Sequence, residues 1–162
     1  IEQKSVNKEI KLTQEHIRPL LISAIQNCKE KADEKNITVD LECPEELSAN
    51  LNMPLSEQAF VNLLDNAVKY SNPNGRVRIK TVCSDTEIAI SFQDNGIGIA
   101  KEHLPRLLER FYRVDKSRSR KQGGTGLGLA IVKHIAAAHN GYITVDSEIG
   151  KGSVFTVHFP SA

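Results

Sequence analysis

The chain has 162 residues, 40% hydrophobic and 25% charged, with a net charge of +1. That supplies apolar material for one domain with a real core, and its charge balance excludes a protein that holds nucleic acid mainly by electrostatics. No apolar run approaches the roughly 18 residues of a membrane span, and no signal-peptide pattern opens the chain.

Residues 1–9, "IEQKSVNKE", are polar and are expected to be an extension or an incoming linker. "IKL" at 10–12 reads as a short strand, and Thr13 as the N-cap of a helix, with His16 at N3 giving only half of a capping box. The helix should run to about Glu34. Its apolar positions Ile17, Leu20, Leu21, Ala24, Ile25, Cys28 and Ala32 recur at steps of three and four. Pro19 falls in its first turn.

"ITVDLEC" (37–43) alternates like a half-buried strand, and "SANLN" (48–52) is expected to pair beside it. A second helix should start near Pro54, a good first-turn residue, and reach Tyr70. Two strands follow, Arg76–Cys83 and Glu87–Gln93, around a Ser-Asp-Thr turn. Residues 94–124 carry no long regular pattern apart from a short apolar helix near Leu104–Phe111. A third helix should cover Leu127–His139 and end at Gly141. Two strands, Tyr142–Ser147 and Ser153–Phe159, close the chain around "EIGKG".

Three helices and about five substantial strands, several in hairpins, predict a two-layer α/β sandwich with a mixed, mostly antiparallel sheet covered on one face. An irregular segment of about 30 residues is out of place in such a domain unless it is a functional lid. The cysteines Cys28, Cys43 and Cys83 show no CxxC spacing, which fits a reducing compartment better than a zinc site or a disulfide framework. The chain opens on Ile1 and its sole methionine is Met53, so a piece of a longer protein is expected.

Four stretches carry chemistry. On the second helix, Leu55, Ala59, Phe60, Leu63, Leu64, Ala67 and Val68 form an apolar stripe. Asn62, Asn66 and Lys69 form another stripe, one turn apart in sequence. An amide oxygen suits Mg²⁺ and a lysine suits phosphate, although a solvated helix face has the same pattern. In "ISFQDNGIGI" (90–99) a strand runs into Asp94-Asn95-Gly96, a hairpin signal without the returning strand. A carboxylate at a strand end can accept the exocyclic amine of a purine, and Gly96 and Gly98 would let a planar base lie on the backbone.

In "RLLERFYRVDKSRSRK" (106–121) the cations Arg113, Lys116, Arg118, Arg120 and Lys121 accompany the single acid Asp115 towards the C-terminal end. The run leads directly into Gly123, Gly124, Gly126 and Gly128, four glycines in six residues just before a helix. A helix N-terminus behind glycines is a ready anion site. The P-loop pattern is absent, since no glycine is followed by Lys and then Ser or Thr. The dinucleotide GxGxxG spacing also fails, and "SRSRKQ" is not a strand. By itself, "GKGSVFTVHFP" (150–160) is a turn and a strand.

The order and spacing of "NLLDNAVKY", "DNGIGI", "ERFYRVD", "GGTGLGLAIVK" and "GKGSVFTVHFP" resemble the N, G1, F, G2 and G3 boxes of two-component sensor histidine kinases. The resemblance is to their catalytic, ATP-binding domain, in the superfamily that includes gyrase and Hsp90. It covers about residues 10–160 and is closest to the class that includes the phosphate-regulon sensors. It implies the Bergerat α/β sandwich, with an ATP lid at about 97–124. Residues 1–9 would be the linker from a dimerisation domain, and 10–162 the catalytic domain.

Carried over motif by motif, Asn66 would ligate Mg²⁺, with Asn62 supporting the metal or the phosphates. Lys69 and Tyr70 would contact phosphate and ribose or adenine. Asp94 would accept the adenine amine, with Gly96, Gly98 and Ile99 beside the base. Phe111, Tyr112 and Arg113 would belong to the lid, with Arg113 on the γ-phosphate. Gly124, Thr125, Gly126, Leu127, Gly128 and Leu129 would wrap the phosphates.

The resemblance also implies catalytic roles for Asn62, Lys69 and Arg113. ATPases of the superfamily carry a glutamate where Asn62 stands. An amide is no general base, so transfer to another nucleophile is favoured over hydrolysis. None of His16, His103, His134, His139 and His158 stands in a phosphoacceptor motif. The acceptor is therefore expected on a dimerisation domain upstream of Ile1, and this chain is not expected to phosphorylate itself. A response regulator is the further partner implied. A monomeric, cytoplasmic domain is expected, from a parent protein in the bacterial inner membrane. Alternatives are a serine kinase of the anti-sigma-factor type and a nucleotide-sensing pseudokinase.

Overall fold

The computed structural model describes residues 10–109 and 128–161. Strands β1 (Thr13–His16) and β3 (Ser48–Leu51) form a small antiparallel ribbon. The main sheet is β2 (Thr38–Glu42), β4 (Arg76–Cys83), β5 (Glu87–Asp94), β7 (Gly152–Pro160) and β6 (Tyr142–Glu148), in that spatial order. β2 and β4 are parallel, and the other neighbours are antiparallel. The parallel pair is joined by a crossover through helix α2 (Met53–Tyr70), as parallel neighbours require. Helices α1 (Ile17–Glu34) and α3 (Gly128–Ala138) complete the helical layer, and Lys101–Arg106 is a 3₁₀ helix.

Alternation decides which sheet face is covered. Val77 and Ile79, Ile88, Ile90 and Phe92, and Phe155, Val157 and Phe159 point inward and are buried against the helices. Phe60 of α2 sits at the centre, 6.2 Å from Phe92 and 6.3 Å from Phe159 between ring centroids. The intervening residues Arg78, Lys80 and Gln93 stand exposed on the open face.

Several expectations are corrected. The first strand is Thr13–His16 rather than 10–12, so Thr13 is not a helix cap and His16 is the residue before α1. Ser48–Leu51 pairs with that strand and not with β2, and its Ala49 and Leu51 are buried in the core. Pro19 is the third residue of α1, where its missing N–H has no helical partner to lose. The short apolar helix expected near Leu104–Phe111 lies partly outside the described residues; within them the helix is of 3₁₀ type and earlier, at Lys101–Arg106, with Pro105 inside it.

α3 does end before Gly141, but the left-handed residue is Asn140 (φ 62°). Gly141 N–H bonds Ala136 O at 2.8 Å and Asn140 N–H bonds Ala137 O at 2.9 Å, a Schellman end. α1 ends the same way on Asn36 (φ 55°), with Ile37 N–H on Ala32 O at 2.8 Å.

A candidate nucleotide site between two helices and a strand end

The directions of the helices follow from their cross-links. Lys31 pairs with Asp65 at 2.9 Å, and Lys35 reaches Val68 O and Lys69 O at 2.9 and 2.8 Å. α1 and α2 therefore run parallel and bring their carboxyl ends together. α3 runs the other way. The Asn62 amide approaches Gly128 O at 3.5 Å, at the start of α3, while His139 just past its end meets Asn52 and Ser56 at the start of α2.

Because α3 is antiparallel to α2, its N-terminus points along α2 towards Asn66, Lys69 and Tyr70. Its first N–H groups and the positive end of its dipole thus open onto the face that carries Asn66 and Lys69. Asn62, Asn66, Lys69 and Tyr70 are all half-buried, neither in the core nor fully in solvent. A Cβ on Gly128 would meet no atom within 4 Å, so packing within the described residues does not account for a glycine there.

The other end of the candidate site is Asp94, at the end of β5 and only 3% exposed. Burial lifts its carboxyl above the ordinary carboxylate range. Hydrogen bonds from the Gly96 and Ser153 backbone N–H groups, and the charge of Lys35, pull in the opposite direction. Gly96 N–H donates to Asp94 Oδ1 at 2.9 Å. Asn95 fastens the surrounding loops. Its Oδ1 accepts the Arg76 N–H at 3.1 Å, and its carbonyl accepts the Asn72 amide at 3.0 Å.

Gly96 and Gly98 have a reason within the fold itself. A Cβ on Gly96 would run into the Tyr70 carbonyl, and one on Gly98 (φ 75°) into the Glu148 carbonyl. The protein's own backbone requires both glycines. Ile99 N–H donates to Ser147 Oγ at 2.8 Å, and Gly150 N–H to Ile97 O at 2.8 Å, so the β6–β7 hairpin grips the strand-end loop. This grip gives "GKGSVFTVHFP" its place beside the candidate site.

Among the expected site residues, Asn62 approaches Gly128, and the Tyr70 carbonyl lies against Gly96, whose N–H holds Asp94. Asn66 and Lys69 lie between Asn62 and Tyr70 on α2, Gly98 and Ile99 follow in the strand-end loop, and Leu129 follows Gly128. Phe111, Tyr112, Arg113, Gly124, Thr125, Gly126 and Leu127 lie outside the described residues. From Tyr70 back to Asn62 is about 12 Å along the helix axis. The sequence drew no attention to Lys35, Ser147 or Ser153, whose partners come from distant segments.

Comparison with known proteins agrees with this architecture. The family described as histidine kinase-, DNA gyrase B-, and HSP90-like ATPase matches residues 50–162. The phosphate regulon sensor protein PhoR of Pseudomonas aeruginosa is 53% identical over 64% of this chain and 24% of its own length. The sensor-like histidine kinase SenX3 of Mycolicibacterium smegmatis is 45% identical over 87% of this chain and 37% of its own. The chain therefore spans between about a quarter and somewhat over a third of these relatives.

The catalytic domain of histidine kinase ThkA, solved without nucleotide, superposes with a TM-score of 0.82 at 25% identity. It covers 94% of this chain and 97% of that domain. ThkA solved in complex with response regulator protein TrrA shares the fold over 93% of this chain and 42% of its own, at 23% identity and a TM-score of 0.77. The chain belongs to the histidine kinase-, DNA gyrase B- and HSP90-like ATPase family, and within it to the catalytic domains of sensor histidine kinases.

Proposed function

We propose that this domain binds Mg-ATP between Asp94 and the N-terminus of α3, and delivers the γ-phosphoryl group to a histidine on a dimerisation domain outside the chain. The observation that carries this is the antiparallel placement of α3 against α2. It aims the positive helix end at the face bearing Asn66 and Lys69, with a buried carboxylate at the far end of the same site.

In this proposal Asp94 accepts the adenine amine, and Tyr70 and Ile99 flank the base and ribose. Lys69 and the first N–H groups of α3 hold phosphate oxygens. The amide oxygen of Asn66 is the ligand for magnesium, and Asn62 supports it from one turn away, a donor set of the hard kind that this ion prefers. Bound magnesium would neutralise charge on the phosphates. Arg113 and the lid residues Phe111 and Tyr112 are assigned on the resemblance alone, as are Gly124, Thr125, Gly126 and Leu127.

Two of the chain's own histidines are poorly placed as acceptors. Both ring nitrogens of His139 are engaged in the core, and those of His158 contact Glu87 and Thr144 on the open face. In the transfer, a nitrogen of the acceptor imidazole forms a bond to phosphorus as the bond to the ADP oxygen breaks, and the imidazole proton is released. Asn62 provides no base for water, so hydrolysis is slow beside transfer. Residues 1–9 join the acceptor domain, and a response regulator takes the phosphoryl group onward. The parent protein sits in the bacterial inner membrane with this domain in the cytoplasm.

The test is to supply γ-labelled ATP to the protein extended by its upstream helices. Acid-labile, base-stable label on a histidine is expected. Acid-stable phosphoserine on a partner protein, or failure of this chain to bind Mg-ATP at all, would overturn the proposal.

A further inference from the structure

Lys35 lies outside all five boxes, yet it occupies the junction on which the base-binding end of the site depends. It follows the last residue of α1. Its ammonium donates to three carbonyls at the carboxyl end of α2, Val68 O at 2.9 Å, Lys69 O at 2.8 Å and Ser71 O at 2.6 Å. Its own carbonyl accepts Asn74 N–H at 2.8 Å, and the neighbouring Asn36 amide bonds Asn74 Oδ1 at 2.8 Å. The loop leaving α2 is thus fastened to the loop leaving α1.

The electrostatics explain why a cation stands there. α1 and α2 are parallel, so two negative dipole ends meet, and unpaired carbonyls crowd the same spot. Asp94 adds a buried carboxylate within electrostatic reach of the same ammonium. The connection to Asp94 is also mechanical. Tyr70, between the clamped carbonyls of Lys69 and Ser71, presses its carbonyl on Gly96, whose N–H holds Asp94 Oδ1.

We propose that Lys35 is a positioning residue for nucleotide recognition, its positive charge drawing the carboxyl ends of α1 and α2 together and keeping Asp94 an anionic acceptor for the base. The proposal rests on the assignment of Asp94 to the base. The charged groups near Asp94 are few. Arg76 and Arg78 flank its register partner Val77 and line one pocket with Gln93, Asp94 and Asn95, and the Arg76 guanidinium is paired with Asp40. β7 presents Ser153, and α2 presents Lys69 and Tyr70. The Lys35 charge favours the ionised form of Asp94, against the larger effect of its burial.

Equilibrium binding of Mg-ATP is measured on this chain between about pH 8 and pH 5. Four variants are compared: Lys35→Gln, which keeps hydrogen-bond donors but no charge, Lys35→Met, Lys35→Arg and Asp94→Asn. Folding is checked by circular dichroism. Lys35→Arg should follow the wild-type profile within about threefold. Lys35→Gln should bind about tenfold more weakly and lose affinity at a higher pH than wild type, as Asp94 takes up a proton. If Lys35→Met unfolds, the Gln and Arg variants still decide the matter. A Lys35→Gln profile parallel to wild type, or Lys35→Arg no better than Lys35→Gln, overturns the role of charge. If instead Asp94→Asn binds like wild type, the assignment of Asp94 to the base is what fails.

Discussion

His139 Nε2, just past the end of α3, accepts the backbone N–H of Asn52, the cap of α2, at 3.0 Å. The same nitrogen meets Ser56 Oγ at 3.2 Å, and the Nδ1 side meets Ile135 O at 2.8 Å. These partners fix the neutral ring with its proton on Nδ1. The ring also packs edge-on against Phe159, with centroids 5.1 Å apart. His139 therefore locks α3 against α2 at the end opposite the candidate site.

Burial holds the His139 imidazole below its ordinary pKa of 6.5. The unfolded chain then binds more protons than the folded one as pH falls past that value, so the stability His139 supplies is present above about 6.5 and is lost on acidification. His139→Phe keeps the ring but strands the Asn52 N–H, which should cost about 1–3 kcal/mol at neutral pH. Denaturant unfolding from pH 7.5 to pH 5 should show a shallower pH slope for the variant. Equal slopes would remove His139 from the pH response.

Asp94→Asn should separate stability from binding. Asn retains an oxygen for Gly96 N–H and no longer carries a buried charge. Since burial raises the Asp94 pKa, its ionised form is unfavourable in the fold at neutral pH, and the variant should be at least as stable as wild type there. Its amide can turn a donor towards the adenine amine, so ATP affinity should drop by about 2 kcal/mol, near thirtyfold. Calorimetric titration checks this, and undiminished affinity would sink the proposed role.

Gly96→Ala would drive a methyl into the Tyr70 carbonyl, which cannot swing away because it belongs to the end of α2. Overpacking of this kind costs about 1–3 kcal/mol. A lowered melting temperature with weakened ATP binding is expected. A variant that melts like wild type would show that the α2 end yields more readily than its clamped carbonyls suggest.

Chelation of magnesium tests Asn66. Removing the ion should weaken ATP binding by wild type and have little effect on Asn66→Ala, because that variant has already lost the proposed ligand. The two affinities, measured with and without chelator, form a cycle. Equal sensitivity in both proteins would assign the metal elsewhere.

Asn62→Glu would place a carboxylate one turn before Asn66. If Asn62 is what suppresses water attack, phosphate release from ATP should rise by about tenfold or more, within the range general-base catalysis can supply. A phosphate-release assay reads this directly, and an unchanged rate would refute the explanation.

Much of the helical layer was legible because its signal is periodic. The stripes on α1 and α2 predicted the buried apolar residues of both helices, with Ile25 and Leu55 only partly buried, and missed the buried Ser56. The hairpin strands Arg76–Cys83 and Glu87–Asp94 were legible from alternation around a turn. The first strand was displaced because "IKLTQEH" offers no alternation, and its partner Ser48–Leu51 comes from a segment about 35 residues away. The stop of α3 was found, but its left-handed residue was misplaced by one, since asparagine as well as glycine can take that conformation.

The sequence by itself determined which residues share a face of α2, because residues four apart on one helix must do so. Only the tertiary structure decided how the helices face one another. The directions of α1 and α3 relative to α2 depend on the crossover and on contacts such as Lys35 with Ser71 and His139 with Asn52, which join residues 36 and 87 positions apart. No local pattern encodes such a pairing, because its energy comes from burial and from matching donors to carbonyls across the whole core. That is also why Gly96 and Gly98 looked like room for a ligand in the sequence and proved to be room for Tyr70 and Glu148 in the fold.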